Sequence, residues 1–242
     1  MTGKTVVRRA VLLAAGRGKR LRPHTDNTPK PLLKHLGKPT LDYLMDSLLQ
    51  AGIDDVVVVT HHLHEQVEEY AKRREEVSEQ LVRCVRQPAL KGTANAMQCV
   101  IEAYPDFVQE PYILSATDYL VPESFFSDLI QFHANHTAEL TVSLKALPES
   151  ELAGRSSVRF GDNDIIEEIV EKPAPGTAPS SIGANLTFIL PSSLAPYIAT
   201  VPLSPRGETE IQYAINAWLA DGGSAKGLIQ SAPNEWEAPQ HS

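Results

Sequence analysis

Four cationic side chains, Arg17, Lys19, Arg20 and Arg22, crowd one glycine-punctuated turn in the segment LLAAGRGKRLRPHTDNTPKP, residues 12–31. Gly16 and Gly18 lack a Cβ and can take positive φ, so the backbone N–H groups of Ala15 to Gly18 can close on phosphate oxygens. Leu13, Ala14 and Ala15 carry the chain into that turn from an apolar run. Lys30 follows between Pro29 and Pro31. Proline fixes φ and drives the residue before it toward extended backbone, so Lys30 is expected on a stiff, non-helical segment aimed at one point. Together these residues describe a cradle for polyphosphate. Their order is neither GxxxxGK[ST] nor GxGxxG, which separates the turn from a P-loop and from a dinucleotide fingerprint.

Further candidates lie downstream. Asp118 follows the apolar run PYILSAT, and open α/β sheets place ligands at that end of a strand. A carboxylate there can hold Mg²⁺, a cation that takes oxygen ligands and bridges protein acids to phosphates; the same residue can also serve as a turn aspartate before VPES. Gln87 and Gly92 bracket a loop whose glutamine amide offers both donor and acceptor and whose glycine admits close main-chain approach. Thr93 is the expected cap of the helix that follows. Glu171 and Lys172 end an amphipathic strand before Pro173, where a Glu-Lys pair without further context reads as solvated charge. His61, His62 and His64 form an HHxH run with no further ligand spacing, and they read as loop residues that bind no metal.

The elements that must position these residues follow from periodicity. Strands are predicted near 9–15, 55–60, 81–87 and 111–117, alternating with helices over 40–52 (Thr40 as N-cap, Gly52 as stop), 64–77 and 93–104. A helix near 122–135 precedes strand-like AELTVSLKAL, SSVRF and DIIEEIVEK, the last two joined by a GDND turn. An exposed loop is predicted over 173–183, then a strand in ANLTFIL and helices in PSSLAPYIATV and GETEIQYAINAWLADGG. This is an α/β layout with a mostly parallel, mixed sheet and helices on both faces.

The 242 residues carry a formal net charge of −8, which argues against nucleic acid as a partner. Local positive charge is concentrated instead in residues 17–38, where Arg17, Lys19, Arg20, Arg22, Lys30, Lys34 and Lys38 face the single acid Asp26. Cys84 and Cys99 are expected as buried thiols of a reducing compartment, the cytoplasm. AVLLAA is too short for an export signal and reads as the first strand. No apolar run approaches the roughly 20 residues of a membrane span, so no membrane association is expected.

Taken in order, the glycine turn with Lys30, QPALKGTANA (87–96), Thr117-Asp118, Glu171-Lys172-Pro173 and RGETEIQYAIN (206–216) resemble the sugar-1-phosphate nucleotidylyltransferases, the NDP-sugar pyrophosphorylases, over about Ala10 to Gly227. In look they are closest to glucose-1-phosphate thymidylyl- and uridylyltransferases. The resemblance implies a GT-A-like, Rossmann-like fold over a single domain, 1–242, without an appended β-helix acyltransferase domain. It implies transfer of a nucleotidyl group from a nucleoside triphosphate, UTP or dTTP favoured, to a sugar 1-phosphate, with Mg²⁺ as cofactor. Catalytic roles fall on Arg20, Lys30, Asp118 and Lys172. Leu13, Ala14, Ala15, Gly16, Gly18, Arg20, Gln87, Gly92 and Thr93 would hold the nucleotide, with Gln87 reading the base. Lys30, Glu171, Lys172 and Asn185 would hold the sugar phosphate, Asn185 standing where the family has glycine or another small residue.

Two departures accompany the resemblance. Tyr213 stands at the family's second metal aspartate, and Glu210, three residues earlier on a helix expected from Gly207, is the substitute carboxylate, so the expected metal ligands are Asp118 and Glu210. The C-terminal Trp-x-Asp segment becomes Trp236-Glu237-Ala238-Pro239. Transfer of CMP to phosphocholine or another small phosphate, and a catalytically weakened sensor of nucleotide or nucleotide sugar, stay open as alternatives. Homo-oligomerisation stays open as well.

Overall fold

The computed structural model describes residues 6–230 and 234–235, and the altered segment at 236–239 lies outside them. Nine strands form the main sheet: β1 (Arg9–Leu13), β2 (Asp55–Thr60), β3 (Leu81–Arg86), β4 (Tyr112–Ala116), β5 (Leu140–Ala146), β6 (Ser156–Phe160), β7 (Ile166–Glu171), β8 (Ile182–Leu190) and β9 (Ala225–Ile229). The principal order is β7-β6-β8-β4-β1-β2-β3, and β5 pairs with the other edge of β8 and with β9. Strands β4, β1, β2 and β3 run parallel, as does the β5–β9 pair. The contacts of β8 with β4, β5 and β6 are antiparallel. The mixed α/β sheet expected from the sequence is the fold observed.

Five longer helices flank the sheet: α1 (Thr40–Gln50), α2 (His64–Val77), α3 (Thr93–Ala103), α4 (Phe125–Ala134) and α5 (Ile211–Ala220). Successive strand residues point to opposite faces, and here the two faces feed two cores. Ala10, Leu12, Val56 and Val58 pack with Leu41, Leu44, Met45 and Leu48 of α1, Val67 of α2 and Phe125, Phe126 and Leu129 of α4. Val11, Val57, Tyr112 and Leu114 pack on the other face with Met97 and Val100 of α3 and with Ile211, Ile215 and Trp218 of α5. The valine run of β2 is apolar without alternation because both its faces are covered.

Several boundaries differ from the sequence-based expectation. Thr40 is the first residue of α1 rather than its cap; its hydroxyl donates to the Pro31 carbonyl at 2.9 Å, fastening the helix to the Lys30 segment. Gly52 does stop α1, at φ 82°. Gly92, not Thr93, occupies the N-cap of α3. The helix expected from 122 begins at Phe125, PSSLAPYIATV yields one 3₁₀ turn and a five-residue helix, and the closing helix starts at Ile211 instead of Gly207. Strand β8 begins at Ile182, inside the segment expected as loop. Cys84 and Cys99 are half-buried rather than buried, and burial pushes the Cys84 thiol up to about 12. Among the described residues no helix is long and apolar enough to cross a membrane.

One buried group on α4 makes stability depend on pH. His133 sits under the sheet with Nδ1 2.8 Å from the Thr141 hydroxyl, beside His136, and burial together with that neighbour pulls its pKa down to about 4. Below pH 6.5 the unfolded chain takes up a proton that the folded state refuses, so stability is full above that value, falls as the pH drops toward 4 and levels off below it. The contribution at stake is about 3 kcal/mol. Urea midpoints of wild type and His133→Gln, compared from pH 7 to 4.5, should show the wild type losing more. Parallel loss in the two proteins would assign the acid sensitivity elsewhere.

Candidate active site

Strands β1 and β4 are parallel neighbours with Leu13 opposite Ala116, so the glycine turn and Thr117-Asp118 leave the sheet side by side at its C-terminal edge. The Thr117 hydroxyl donates to the Leu13 carbonyl at 2.9 Å and locks the two exits together. Gly18 turns with φ 58°, and a Cβ on it would press against Thr25 and the Lys30 side chain. That contact, with the Thr25 hydroxyl bonded to the Gly18 carbonyl at 2.9 Å, sets the Lys30 segment against the turn. Lys30 itself opens a short 3₁₀ turn, Lys30–Leu32, where the two prolines suggested extended chain. Its ammonium donates to Asp118 Oδ2 at 2.7 Å across 88 residues of sequence. Asp118 Oδ1 is buried and has no hydrogen-bond partner.

Around this pair lies a cavity of about 480 Å³. Leu13, Ala14, Ala15, Gly16, Gly18, Arg20, Lys30, Gln87, Gly92, Thr93 and Asp118 all line it, so residues spread over a hundred positions converge on one space. Gln87 is buried, and its amide nitrogen donates to the Gly92 carbonyl (3.1 Å) and to Asn95 Oδ1 (3.0 Å). Its donor hydrogens therefore brace the loop, whereas the sequence suggested an amide facing a base.

A second cavity of about 270 Å³ adjoins the first and shares Arg20, Thr93, Leu186 and Glu208 with it. Glu171, Lys172, Asn185 and Glu210 line this one. The Glu171 carboxylate accepts from the Ser156 hydroxyl, from Gln212 Nε2 (3.0 Å) and from Arg206 (3.3 Å). Asn216 exchanges two 2.9 Å hydrogen bonds with the backbone of Ile169, pinning α5 to β7 and so holding Gln212 against Glu171. Lys172 has φ 48°, a conformation costly for any residue with a Cβ and more so before proline. Its N–H donates to the Arg155 carbonyl at 3.1 Å, and its ammonium stands 3.7 Å from Glu171. Asn185 is nearly buried and donates to the Ser143 hydroxyl at 3.0 Å.

Sequence reasoning assigned no role to Arg206, Lys145, Thr209 or Gln212, which the fold brings to this region. Only Arg206 carried a local signal, a base four residues before the acid it meets.

The two cavities are joined by a backbone zipper. The Thr209 N–H donates to the Lys91 carbonyl (2.7 Å), and the Ala94 N–H donates back to the Thr209 carbonyl (2.9 Å). The Thr209 hydroxyl oxygen accepts from the Asn95 N–H (3.1 Å), and the Thr93 hydroxyl oxygen accepts from the Ile211 N–H (2.9 Å). Each threonine thus satisfies an orphan donor in the first turn of the other's helix, so Thr93 caps α5 instead of α3.

Glu210 departs from its expected place on the closing helix. It is the N-cap residue of α5, outside the helix whose face it was to share with Tyr213. Its carboxylate is buried against Arg206 and accepts the Ser204 hydroxyl at 3.1 Å. It lines the second cavity only, while Asp118 lines only the first. The carboxylate is thus paired with a guanidinium on the wall of the second cavity, as Asp118 is paired with an ammonium on the wall of the first. Although burial works against its charge, the Glu210 and Glu171 carboxylates raise the Arg206 guanidinium above its ordinary value.

The three histidines each turn to a protein partner: His61 Nδ1 to the Gln87 carbonyl (2.8 Å), His62 Nε2 to the Thr25 carbonyl (3.3 Å) and His64 to Glu68 (3.1 Å).

Gly92, at φ 107°, is where the zipper comes closest, and a Cβ there would overlap the Thr209 backbone. Gly92→Ala should cost more than 1 kcal/mol of stability, from strained backbone alone, and should loosen both cavities at once. Urea denaturation together with amide hydrogen exchange at residues 93–96 and 209–212 measures this; unchanged protection in both segments would show that the zipper does not tie them.

Comparison with known proteins agrees with this architecture. The nucleotidyl transferase family model matches residues 9–237. UTP–glucose-1-phosphate uridylyltransferase 2 of Staphylococcus saprophyticus is 26% identical over 235 residues, covering 86% of this chain and 80% of that protein. The mannose-1-phosphate guanylyltransferase catalytic subunit beta of Drosophila melanogaster is 30% identical over 187 residues, covering 77% of this chain, which spans only 49% of that protein's length. The solved structure of a UDP-glucose pyrophosphorylase with UDP-glucose superposes with a TM-score of 0.80 at 19% identity, covering 93% and 91% of the two chains, a likeness of fold. With the match running through nearly every element that builds the two cavities, the chain belongs to the nucleotidyl transferase family of enzymes, the family of the sugar-1-phosphate nucleotidylyltransferases.

Proposed function

We propose that this protein transfers a nucleotidyl group from a nucleoside triphosphate, UTP or dTTP by preference, to a sugar 1-phosphate, releasing pyrophosphate and forming an NDP-sugar. The observation that carries the reading is the pair of adjoining cavities, one built on the glycine turn with Lys30 and Asp118, the other on Glu171, Lys172 and Arg206, with Arg20 on the wall of both. Two substrates that must exchange a phosphorus need two neighbouring sites with positive charge between them. The uridylyl and guanylyl donors named for the relatives support a nucleoside triphosphate in the first site.

In this reading the N–H groups from Ala15 to Gly18 and the Arg20 guanidinium receive the triphosphate. Lys172, held by the Arg155 carbonyl in a strained conformation, presents its ammonium to the sugar phosphate. A phosphate monoester has a second pKa of roughly 6, so the attacking oxygen is already anionic at neutral pH and no general base is needed. Attack at the α-phosphorus forms the new P–O bond as the bond to pyrophosphate breaks, and the chain contributes positioning and charge neutralisation. Lys30 holds Asp118 in place in the first site until phosphate arrives.

The family's divalent metal fits one feature of this chain: the buried, unpartnered Oδ1 of Asp118, a hard oxygen donor at the mouth of the phosphate turn. Mg²⁺ bound there would neutralise the charge that builds on the phosphates. The free thiols of Cys84 and Cys99 support a reducing compartment, the cytoplasm.

Pyrophosphate release over a grid of five nucleoside triphosphates against several sugar 1-phosphates and phosphocholine tests the reading. Turnover with a sugar 1-phosphate is expected; turnover confined to CTP and phosphocholine, or nucleotide binding without any turnover, would replace it.

Asp118→Asn should lower kcat about a hundredfold at saturating Mg²⁺, and near wild-type turnover in that variant would remove Asp118 from the reaction. Glu210→Gln takes away a carboxylate that competes with phosphate for Arg206, so KM for the sugar phosphate should fall several-fold while the Mg²⁺ dependence stays that of wild type. A shifted Mg²⁺ titration would return this carboxylate to the metal.

A further inference from the structure

The HHxH run has no place in the chemistry above, yet its contacts reach two parts of the first cavity. His61, His62 and His64 follow β2 half-buried and line neither cavity. One carboxylate oxygen closes the loop that carries them: Glu68 Oε1 accepts from the Thr60 hydroxyl at 3.2 Å and from His64 Nδ1 at 3.1 Å. Leu63 turns between them at φ 50°, a conformation costly for a residue with a Cβ. The loop is thereby clamped at both ends.

From this loop two imidazoles donate to backbone carbonyls, since a carbonyl oxygen can only accept. His62 Nε2 meets the Thr25 carbonyl (3.3 Å), and Gln66, in the first turn of α2, meets the Asn27 carbonyl (3.0 Å). Residues 22–29 belong to no helix or strand, so these side chains take up carbonyls that no ladder satisfies. Thr25 in turn supports Gly18: its hydroxyl donates to the Gly18 carbonyl at 2.9 Å, and its methyl lies where a Cβ on Gly18 would press. His61 Nδ1 meets the Gln87 carbonyl at 2.8 Å, and the Gln87 N–H donates to the Thr60 carbonyl at 2.9 Å. Both backbone groups of Gln87 are thus fastened to two consecutive residues of the clamped loop, while its side chain braces Gly92 and Asn95.

We propose that His61 and His62 are positioning residues for the nucleotide: His62 holds the phosphate turn through Thr25, and His61 holds the Gln87 loop, with neither ring touching the ligand. The proposal rests on the reading that the first cavity takes a nucleoside triphosphate, its phosphates at the glycine turn and its base against the loop that contributes Gln87, Leu90 and Gly92. Phosphates are common to all nucleoside triphosphates and bases are not. The two histidines should therefore fail in different ways.

Calorimetric binding of UTP, dTTP, CTP, GTP and ATP, the melting temperature, and amide hydrogen exchange at residues 15–25 and 87–95 are measured in wild type and four variants. His62→Ala should weaken every triphosphate alike, by about tenfold, because a small misplacement of the turn is felt by each of them. Its exchange should rise at 15–25 and not at 87–95. His61→Ala should instead compress the differences among the five triphosphates and raise exchange at 87–95 alone. A glutamine amide nitrogen stands as many bonds from Cβ as Nε2 does, and an asparagine nitrogen as many as Nδ1, so His62→Gln and His61→Asn should each restore most of the wild-type behaviour. Identical losses in the two alanine variants, losses that merely follow the melting temperature, or conservative variants as weak as the alanine ones would overturn the proposal. A wild type that binds none of the five triphosphates would remove the nucleotide reading and the proposal with it, whereas binding with the losses distributed otherwise would remove the proposal alone.

Discussion

The site depends above all on the close passage of residues 91–95 past residues 209–211. Backbone groups of Lys91 and Ala94 bond to Thr209, and two threonine hydroxyls each cap the helix that follows the other. The passage is possible only because Gly92 has no Cβ to meet the Thr209 backbone. Through it, the loop braced by Gln87 and the loop bearing Arg206, Glu208 and Glu210 become one wall. Glu208 and Thr93 can then line both cavities.

Electrostatics complete what the zipper positions. The chain is acidic overall, so long-range attraction does not bring anions to it, and binding relies on local concentration of charge. That concentration is arranged in compensated pairs: Lys30 with Asp118, Arg206 with Glu171 and Glu210. Such pairs leave each base free to exchange its carboxylate for phosphate.

The sheet sets the separation of the two cavities. Its parallel half ends β1 and β4 at one edge, where chain exits converge as they do in open α/β folds. Its antiparallel half hangs on β8, a nine-residue strand that meets β6 early, β4 late and β5 along much of its other side. Because β8 belongs to both halves, Leu186 lines both cavities and Asn185 beside it lines the second.

Much of this was legible in the sequence. Alternating apolar runs and helical periodicity marked the α/β class, with α2 and β6 at the boundaries that their patterns indicate. The glycine turn, Lys30 and Asp118 stood out by composition and by place after apolar strands, because short-range sterics and strand ends leave local signatures. What pairs with what did not. Gln87 bracing Asn95 and Thr93 capping a distant helix are contacts between residues 8 and 118 positions apart. The sequence by itself determined the kinds of element and the chemical groups available, since these follow from each residue's own conformational preferences. The tertiary structure alone decided which group faces which, because that choice depends on the crossing of strands and helices whose order in space differs from their order along the chain.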